Sequence, residues 1–91
     1  MIEPIFLNRF KKDLKRQKKR GKHPDKLTAI IEYICKFGDA PPKSRPHNLL
    51  GEWSGYRECH IEGDWLIIFK ASEKEALFYA TGTHQDLFKK Y

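Results

Sequence analysis

Ninety-one residues suffice for one domain with a modest core, and no run of apolar residues reaches the length of a membrane-spanning helix. The net charge of +6 is local: Arg9 to Lys22 holds nine Lys/Arg and one acid, Asp13, a local +8 that leaves −2 for the rest of the chain. Such a segment suits a polyanion, although a solvated helix face or a surface for an acidic protein has the same composition. Cys35 and Cys59 lack CxxC spacing and read as free thiols of a reducing compartment rather than a disulfide or a zinc knuckle. The start, MIEPIFLN, has no basic head and no small-residue cleavage site, so the expected location is the cytoplasm.

Taken in chain order, Ile2–Phe6 is β-prone but contains Pro4, which points to an edge strand. Asn8 is the expected N-cap of a first helix with a narrow apolar stripe, Phe6 or Leu7, Phe10 and Leu14, among lysines, ended by Gly21. His23-Pro24-Asp25 opens a second helix that buries Leu27, Ile30, Ile31, Ile34 and Cys35 and stops at Gly38. Asp39 to Pro46 is a loop holding three of the five prolines. The period then changes to alternation, and Tyr56–Ile61, Trp65–Ala71 and Ala76–Gly82 are expected as strands of an antiparallel meander. Trp65 to Phe69, almost wholly apolar, should be the most buried strand. A short helix is expected from about His84 to Lys89. The sum is one α+β domain, residues 1–91, with a helical hairpin packed on one face of the sheet and the other face free for work.

Three of the four histidines lie in the second half: His47 ends the proline-rich loop, His60 is on the first meander strand, and His84 follows Thr81-Gly82-Thr83. Asp64 sits in the turn after His60. Metal-independent RNA cleavage needs a base for the ribose 2′-OH, an acid for the leaving 5′-oxygen and a cation for the phosphorane. Histidine suits both proton transfers, and a carboxylate serves as base or fixes a tautomer. Arg57 is a phosphate ligand by type, but strand alternation turns it away from His60 unless a bulge intervenes. Each histidine taken singly is more often structural or merely exposed than functional, and His23 is a helix-start residue. His60, Asp64 and His84, with or without His47, are also ligand types that zinc accepts, though at no known zinc spacing. Trp53, Tyr56, Trp65 and Phe88 are candidates for stacking on bases, with Trp65 and Phe88 equally readable as core.

The run from His47 to Trp65, His-Asn-Leu-Leu-Gly-Glu-Trp-Ser-Gly-Tyr-Arg-Glu-Cys-His-Ile-Glu-Gly-Asp-Trp, resembles the signature of the YafQ branch of the RelE/ParE toxin superfamily. The tail Thr81-Gly82-Thr83-His84-Gln85-Asp86-Leu87-Phe88 resembles that branch's closing motif. The resemblance is specific from about His47 to Phe88; over the first forty residues only helix order and basic character agree. It implies a RelE-like fold and a type II toxin: a ribosome-dependent mRNA endoribonuclease with no cofactor or metal, acting on mRNA in the ribosomal A site. It also implies a cognate antitoxin of the DinJ-like, ribbon-helix-helix type, and no membrane. His47, His60, Asp64 and His84 match the catalytic set, and Trp65, Phe88 and Arg57 its supporting positions. The roles expected are His84 as general acid, Asp64 and His60 together as base, and His47 at the phosphate. Lys11, Lys15, Lys18 and Lys19 on the first helix are expected to meet RNA. The rival functions are a ParE-like gyrase inhibitor, which has no evident need for this histidine set, and a non-enzymatic RNA-binding module, in which the histidines are dispensable.

Overall fold

The change of period along the chain becomes two layers. In the computed structural model, which describes residues 2–88, the order is β1 (Glu3–Phe6), α1 (Asn8–Lys19), α2 (Asp25–Phe37), β2 (His47–Asn48), β3 (Arg57–Glu62), β4 (Trp65–Ala71), β5 (Glu75–Gly82) and α3 (His84–Leu87). Short 3-10 turns occupy Pro42–Ser44 and Gly51–Trp53. The expected end of the last helix at Lys89 lies outside the described residues.

The strands order as β1-β5-β4-β3-β2. β2 to β5 are antiparallel neighbours, but β1 joins β5 in parallel, with Glu3 opposite Glu75 and Phe6 opposite Phe78, so the sheet is mixed. This pairing also corrects the start of α1. The Leu7 N–H still donates to the Phe78 carbonyl at 3.2 Å, which holds Leu7 extended as the cap residue and puts Asn8 inside the helix, with no side-chain cap. α2 ends as expected at Gly38, whose φ of +81° is open to glycine at little cost.

Alternation divides the strand residues between two faces. Cys59, Trp65, Ile67, Phe69, Ala76 and Phe78 pack against Phe10, Leu27, Ile30 and Ile34 of the helices. Leu66, Ile68 and Ala80 face the other way. A bulge in β5 makes this possible: Ile68 pairs with Ala80 and Phe69 with Phe78, so Tyr79 is the extra residue. The second face is not wholly free, as the sequence suggested. Leu49, Trp53, Tyr56, Tyr79, Leu87 and Phe88 pack over part of it. Trp53 meets Tyr56, Tyr79 and Phe88 edge-on with ring centroids 5.2–6.2 Å apart, a favoured aromatic arrangement.

α3 is only four residues long and cannot hold itself together by its own hydrogen bonds. It is fixed from outside, through Asp86. The Thr83 hydroxyl accepts from the Asp86 N–H at 3.1 Å while Asp86 accepts from the Thr83 N–H at 3.0 Å, a closed capping box. Gln17 of α1 donates to the same carboxylate at 3.2 Å, and Arg20, the residue that caps α1, at 2.7 Å. Gly82 makes room, because a Cβ there would lie 2.9 Å from the Asp86 Cβ. Arg20 also holds the Asp86 carboxyl well below the usual carboxylate range. A carboxyl depressed in the folded state adds stability that is complete above its unfolded value and is lost as pH falls through the folded one. Asp86→Ala is therefore expected to cost about 2 kcal/mol at pH 7, from one cap and one charged hydrogen bond. In urea melts, its gap to the parent protein should narrow as pH drops below about 4; a gap independent of pH contradicts this role.

Candidate active site

Three short segments bring the polar residues of the second face together. β2 lies antiparallel to β3 with His47 directly opposite Glu58, and directly opposed residues share a face. His60, two residues along β3 from Glu58, therefore points the same way. Beyond it, a bulge at Ile61 separates the His60–Leu66 pair from the Glu62–Trp65 pair. The bulge leads into the hairpin turn Gly63-Asp64, where Gly63 has φ +52° and Asp64 stands exposed. α3 then delivers His84 over the same face, at the helix's first residue.

The geometry pairs Asp64 with His84. The Asp64 carboxylate lies 2.5 Å from His84 Nδ1, and the His84 ring nitrogen is the first cause of an Asp64 carboxyl held below its ordinary value. Because a carboxylate only accepts, His84 donates from Nδ1 and its Nε2 is the atom left facing the site. The His60 ring lies 6.1 Å from the His84 ring, half-buried, and its Nδ1 is buried with no partner among the described residues. His47 is half-exposed: Nδ1 lies 3.1 Å from the Arg45 carbonyl and Nε2 lies 2.9 Å from Glu58 Oε1. Glu58 Oε1 is also 3.9 Å from His84 Nε2. The structure thus gathers all four expected catalytic residues on one face, but joins Asp64 to His84 rather than to His60.

Glu58 was absent from the sequence reading. The signal available in the sequence was its alternation with His60 on one strand; the structure adds that it opposes His47 and is almost wholly buried.

Several expected RNA contacts lie elsewhere. β3 is regular from Arg57 to His60, so no bulge brings Arg57 to the site. Its guanidinium instead clamps Asp39 at 3.0 and 2.9 Å and Asn48 at 2.7 Å, fixing β2 to the loop after α2. Trp65 has no solvent exposure. It packs in the helix-side core and donates from its indole to the Thr81 hydroxyl at 2.8 Å, which donates on to the Leu66 carbonyl at 2.7 Å. Trp65 thus braces the strands beneath the site. Phe88 is half-buried, its ring 6.0 Å from both His84 and Trp53, and backs His84.

α1 carries two different basic stripes. Lys11, Lys15 and Lys18 line a groove of about 530 Å³ shared with α2, floored by Phe10, Leu14, Leu27 and Ile31, on the helix layer. Lys19 is exposed. Arg9 lies over the Trp53 and Tyr79 rings at 5.6 Å, and Arg20 holds Asp86, so the arginine stripe borders the histidine face. Of the lysines named from sequence, Lys11, Lys15 and Lys18 lie on the groove side. Among the described residues, no three His, Cys, Asp or Glu side chains surround a point that would hold a metal ion.

The family model described as a bacterial toxin of a type II toxin–antitoxin system, YafQ, matches residues 2–89. The mRNA interferase toxin YafQ of Escherichia coli is 36 % identical over 84 residues, 91 % of each chain. A crystal structure of YafQ from E. coli superposes with a TM-score of 0.88 at 32 % identity, covering 97 % of this chain and 99 % of that one. YafQ in the E. coli DinJ–YafQ toxin–antitoxin complex gives 0.86 at 34 % identity over 96 % and 97 %.

The Asp64–His84 contact predicts a tautomer. At a pH where His84 is neutral, long-range ¹⁵N–¹H spectra should show its proton on Nδ1, and Asp64→Asn should weaken that preference. A parent ring protonated on Nε2 contradicts the contact.

Proposed function

The chain belongs to the YafQ family of bacterial type II toxin–antitoxin toxins, and from that membership and the site we propose a metal-independent mRNA endoribonuclease that acts on the ribosome. The observation that carries this reading is the Asp64–His84 pair, 2.5 Å apart, facing two further histidines on one sheet face.

His60 takes the proton of a ribose 2′-OH. The 2′-oxygen attacks its own phosphate, and the bond from phosphorus to the 5′-oxygen breaks. His84, steadied by Asp64 on Nδ1, gives a proton from Nε2 to the departing oxygen. His47 meets the charge that builds on the phosphorane. Electrons and protons balance with a 2′,3′-cyclic phosphate and a 5′-hydroxyl as products, and no step calls for a metal. This assigns Asp64 to the acid, where the sequence reading had placed it with the base.

The aromatic roof of Trp53 and Tyr56 and the arginine stripe of α1 flank this face, the combination that stacks bases and meets phosphates. Docking to the ribosome then rests largely on charge and should weaken steeply with salt. The partner is a DinJ-like antitoxin, as in the E. coli complex. The lysine-rimmed groove between α1 and α2 suits an acidic, amphipathic segment of that antitoxin, on the layer opposite the histidines. Among the described residues, no helix is long and apolar enough to cross a membrane, and we place the action in the cytoplasm, where ribosomes are. A gyrase inhibitor or a passive RNA-binding module has no use for an aspartate–histidine pair of this geometry.

The test is cleavage of an mRNA on translating ribosomes, using toxin stripped with EDTA beforehand. The parent protein should cut and leave cyclic phosphate ends. His84→Ala should be slower by about 10²–10⁴-fold while still binding its antitoxin. Equal rates for the two remove His84 from the mechanism, and cleavage restored only by added metal overturns the metal-free reading.

A further inference from the structure

Single-stranded RNA is held by flat rings for its bases and cations for its phosphates, along a groove wide enough for a nucleotide. The edge of the sheet beside His60 has such a groove. β2 pairs with β3 only at Arg57 and Glu58. From Cys59 onward the outer edge of β3 has no strand beside it among the described residues, and α2 and the loop that follows it stand there instead. Between them lies a cavity of about 520 Å³, a volume ordinary for small-molecule sites. Helix spacing builds one wall, with Lys26, Ile30 and Tyr33 at intervals of four and three along α2. Pro41 and Lys43 of the loop and His60 of β3 add to the lining.

The chemistry of these walls favours an anionic occupant with flat rings. The lining holds two exposed lysines and no acid. Glu62 lies 3.9 Å from Lys26, outside the lining. Tyr33 is half-buried, and its ring meets that of Phe37 one turn further along α2, with centroids 4.5 Å apart. Phe37 is 61 % exposed, an aromatic surface that the core does not use. Lys36 Nζ lies 5.5 Å from its ring.

Position supplies the direction. His60 lines the groove and its ring lies 6.1 Å from that of His84, which is not part of the lining, so the groove adjoins the histidine face on the His60 side. In the reaction above, His60 serves the 2′-OH, which belongs to the nucleotide 5′ of the cut. His84 serves the 5′-oxygen, which belongs to the nucleotide 3′ of it.

We propose that this groove is the subsite for the nucleotide on the 5′ side of the cut, with Tyr33 stacking on its base and Lys43 meeting the phosphate on its own 5′ side. This rests on the ribonuclease reading above. Stacking accepts every base, so the subsite grips the strand without selecting a sequence.

The cut is first mapped with the parent protein on ribosomes carrying a defined mRNA. Tyr33→Leu keeps an apolar side chain and removes the ring; it should slow cleavage about tenfold, and Tyr33→Phe should not. The parent should cut an mRNA with an abasic residue 5′ of the cut more slowly by a similar factor. Tyr33→Leu should slow that mRNA no further, because base and ring belong to one contact. Lys43→Ala should slow cleavage of intact mRNA, but not of an mRNA with an uncharged methylphosphonate on the 5′ side of the same nucleotide. Each variant should bind the antitoxin as the parent does. Cleavage of intact mRNA at the parent's rate by both Tyr33→Leu and Lys43→Ala overturns the proposal, with or without a loss of antitoxin affinity. So do losses that persist in full on the altered mRNAs, which place both residues against the ribosome instead. Should Tyr33→Leu fail to fold, Lys43→Ala, at an exposed position, decides. A parent protein that cuts no mRNA fails the ribonuclease reading and the subsite with it, whereas variants that match a cutting parent fail the subsite alone.

Discussion

The position of His84 depends on a carboxylate two residues away from it. α3 is one turn of helix, too short to persist unaided, and it carries His84 as its first residue. Asp86 closes that turn onto Thr83 and is in turn gripped by Gln17 of α1 and by Arg20, which caps that helix. Gly82 permits the approach by having no side chain. α1 also closes the exposed edge of β5 beyond β1, where Asp13 accepts from the Thr81 N–H at 3.2 Å. Burial pushes the Asp13 carboxyl above its ordinary value, so that contact is held at some cost. The first helix of the chain thus braces its last, and the basic segment has a structural duty besides its charge.

That duty explains how one helix can serve two partners. Spacings of three and four put Asp13, Gln17 and Arg20 toward β5 and α3, with Arg9 over the aromatic roof. The remaining turns send Lys11, Lys15 and Lys18 to the groove with α2. On the reading proposed here, RNA meets the arginine side and the antitoxin the lysine side, and a single segment of high charge is divided by geometry between substrate and inhibitor.

Departures from ordinary folding rules collect around the histidines. Glu58 and His60 each bury an unpaired polar atom, and Arg45 takes a left-handed conformation before a proline. A bulge separates His60 from Asp64. β4, by contrast, is buried along five consecutive residues, and Cys59 is sealed so fully in the core that its thiol is pushed up to about 12. That several such departures fall on one face points to it as a place where stability yields to chemistry.

The elements were legible in the sequence because each announces itself over short range. The apolar stripe of α2, its stop at Gly38, the alternation of β3 and the apolar run of β4 are local consequences of helix and strand periods. The candidate site was legible as residue types in a motif: His47, His60, Asp64 and His84. Even the outward turn of Arg57 from His60 follows from the period of a strand. Which groups touch which was not legible. That Asp64 serves His84, that Glu58 stands between His47 and His84, that Trp65 is wholly enclosed, and that β1 lies parallel to β5 all depend on register between strands distant in sequence. A shift of one residue in any pairing reverses every side chain on the strand, and the two bulges make such shifts at Ile61 and Tyr79. Periodicity is a property of neighbours along the chain, so the sequence determined the elements and the chemical groups they carry. Hydrogen bonding across the sheet and the grip of α1 on Asp86 are properties of neighbours in space, and only the tertiary structure decided them.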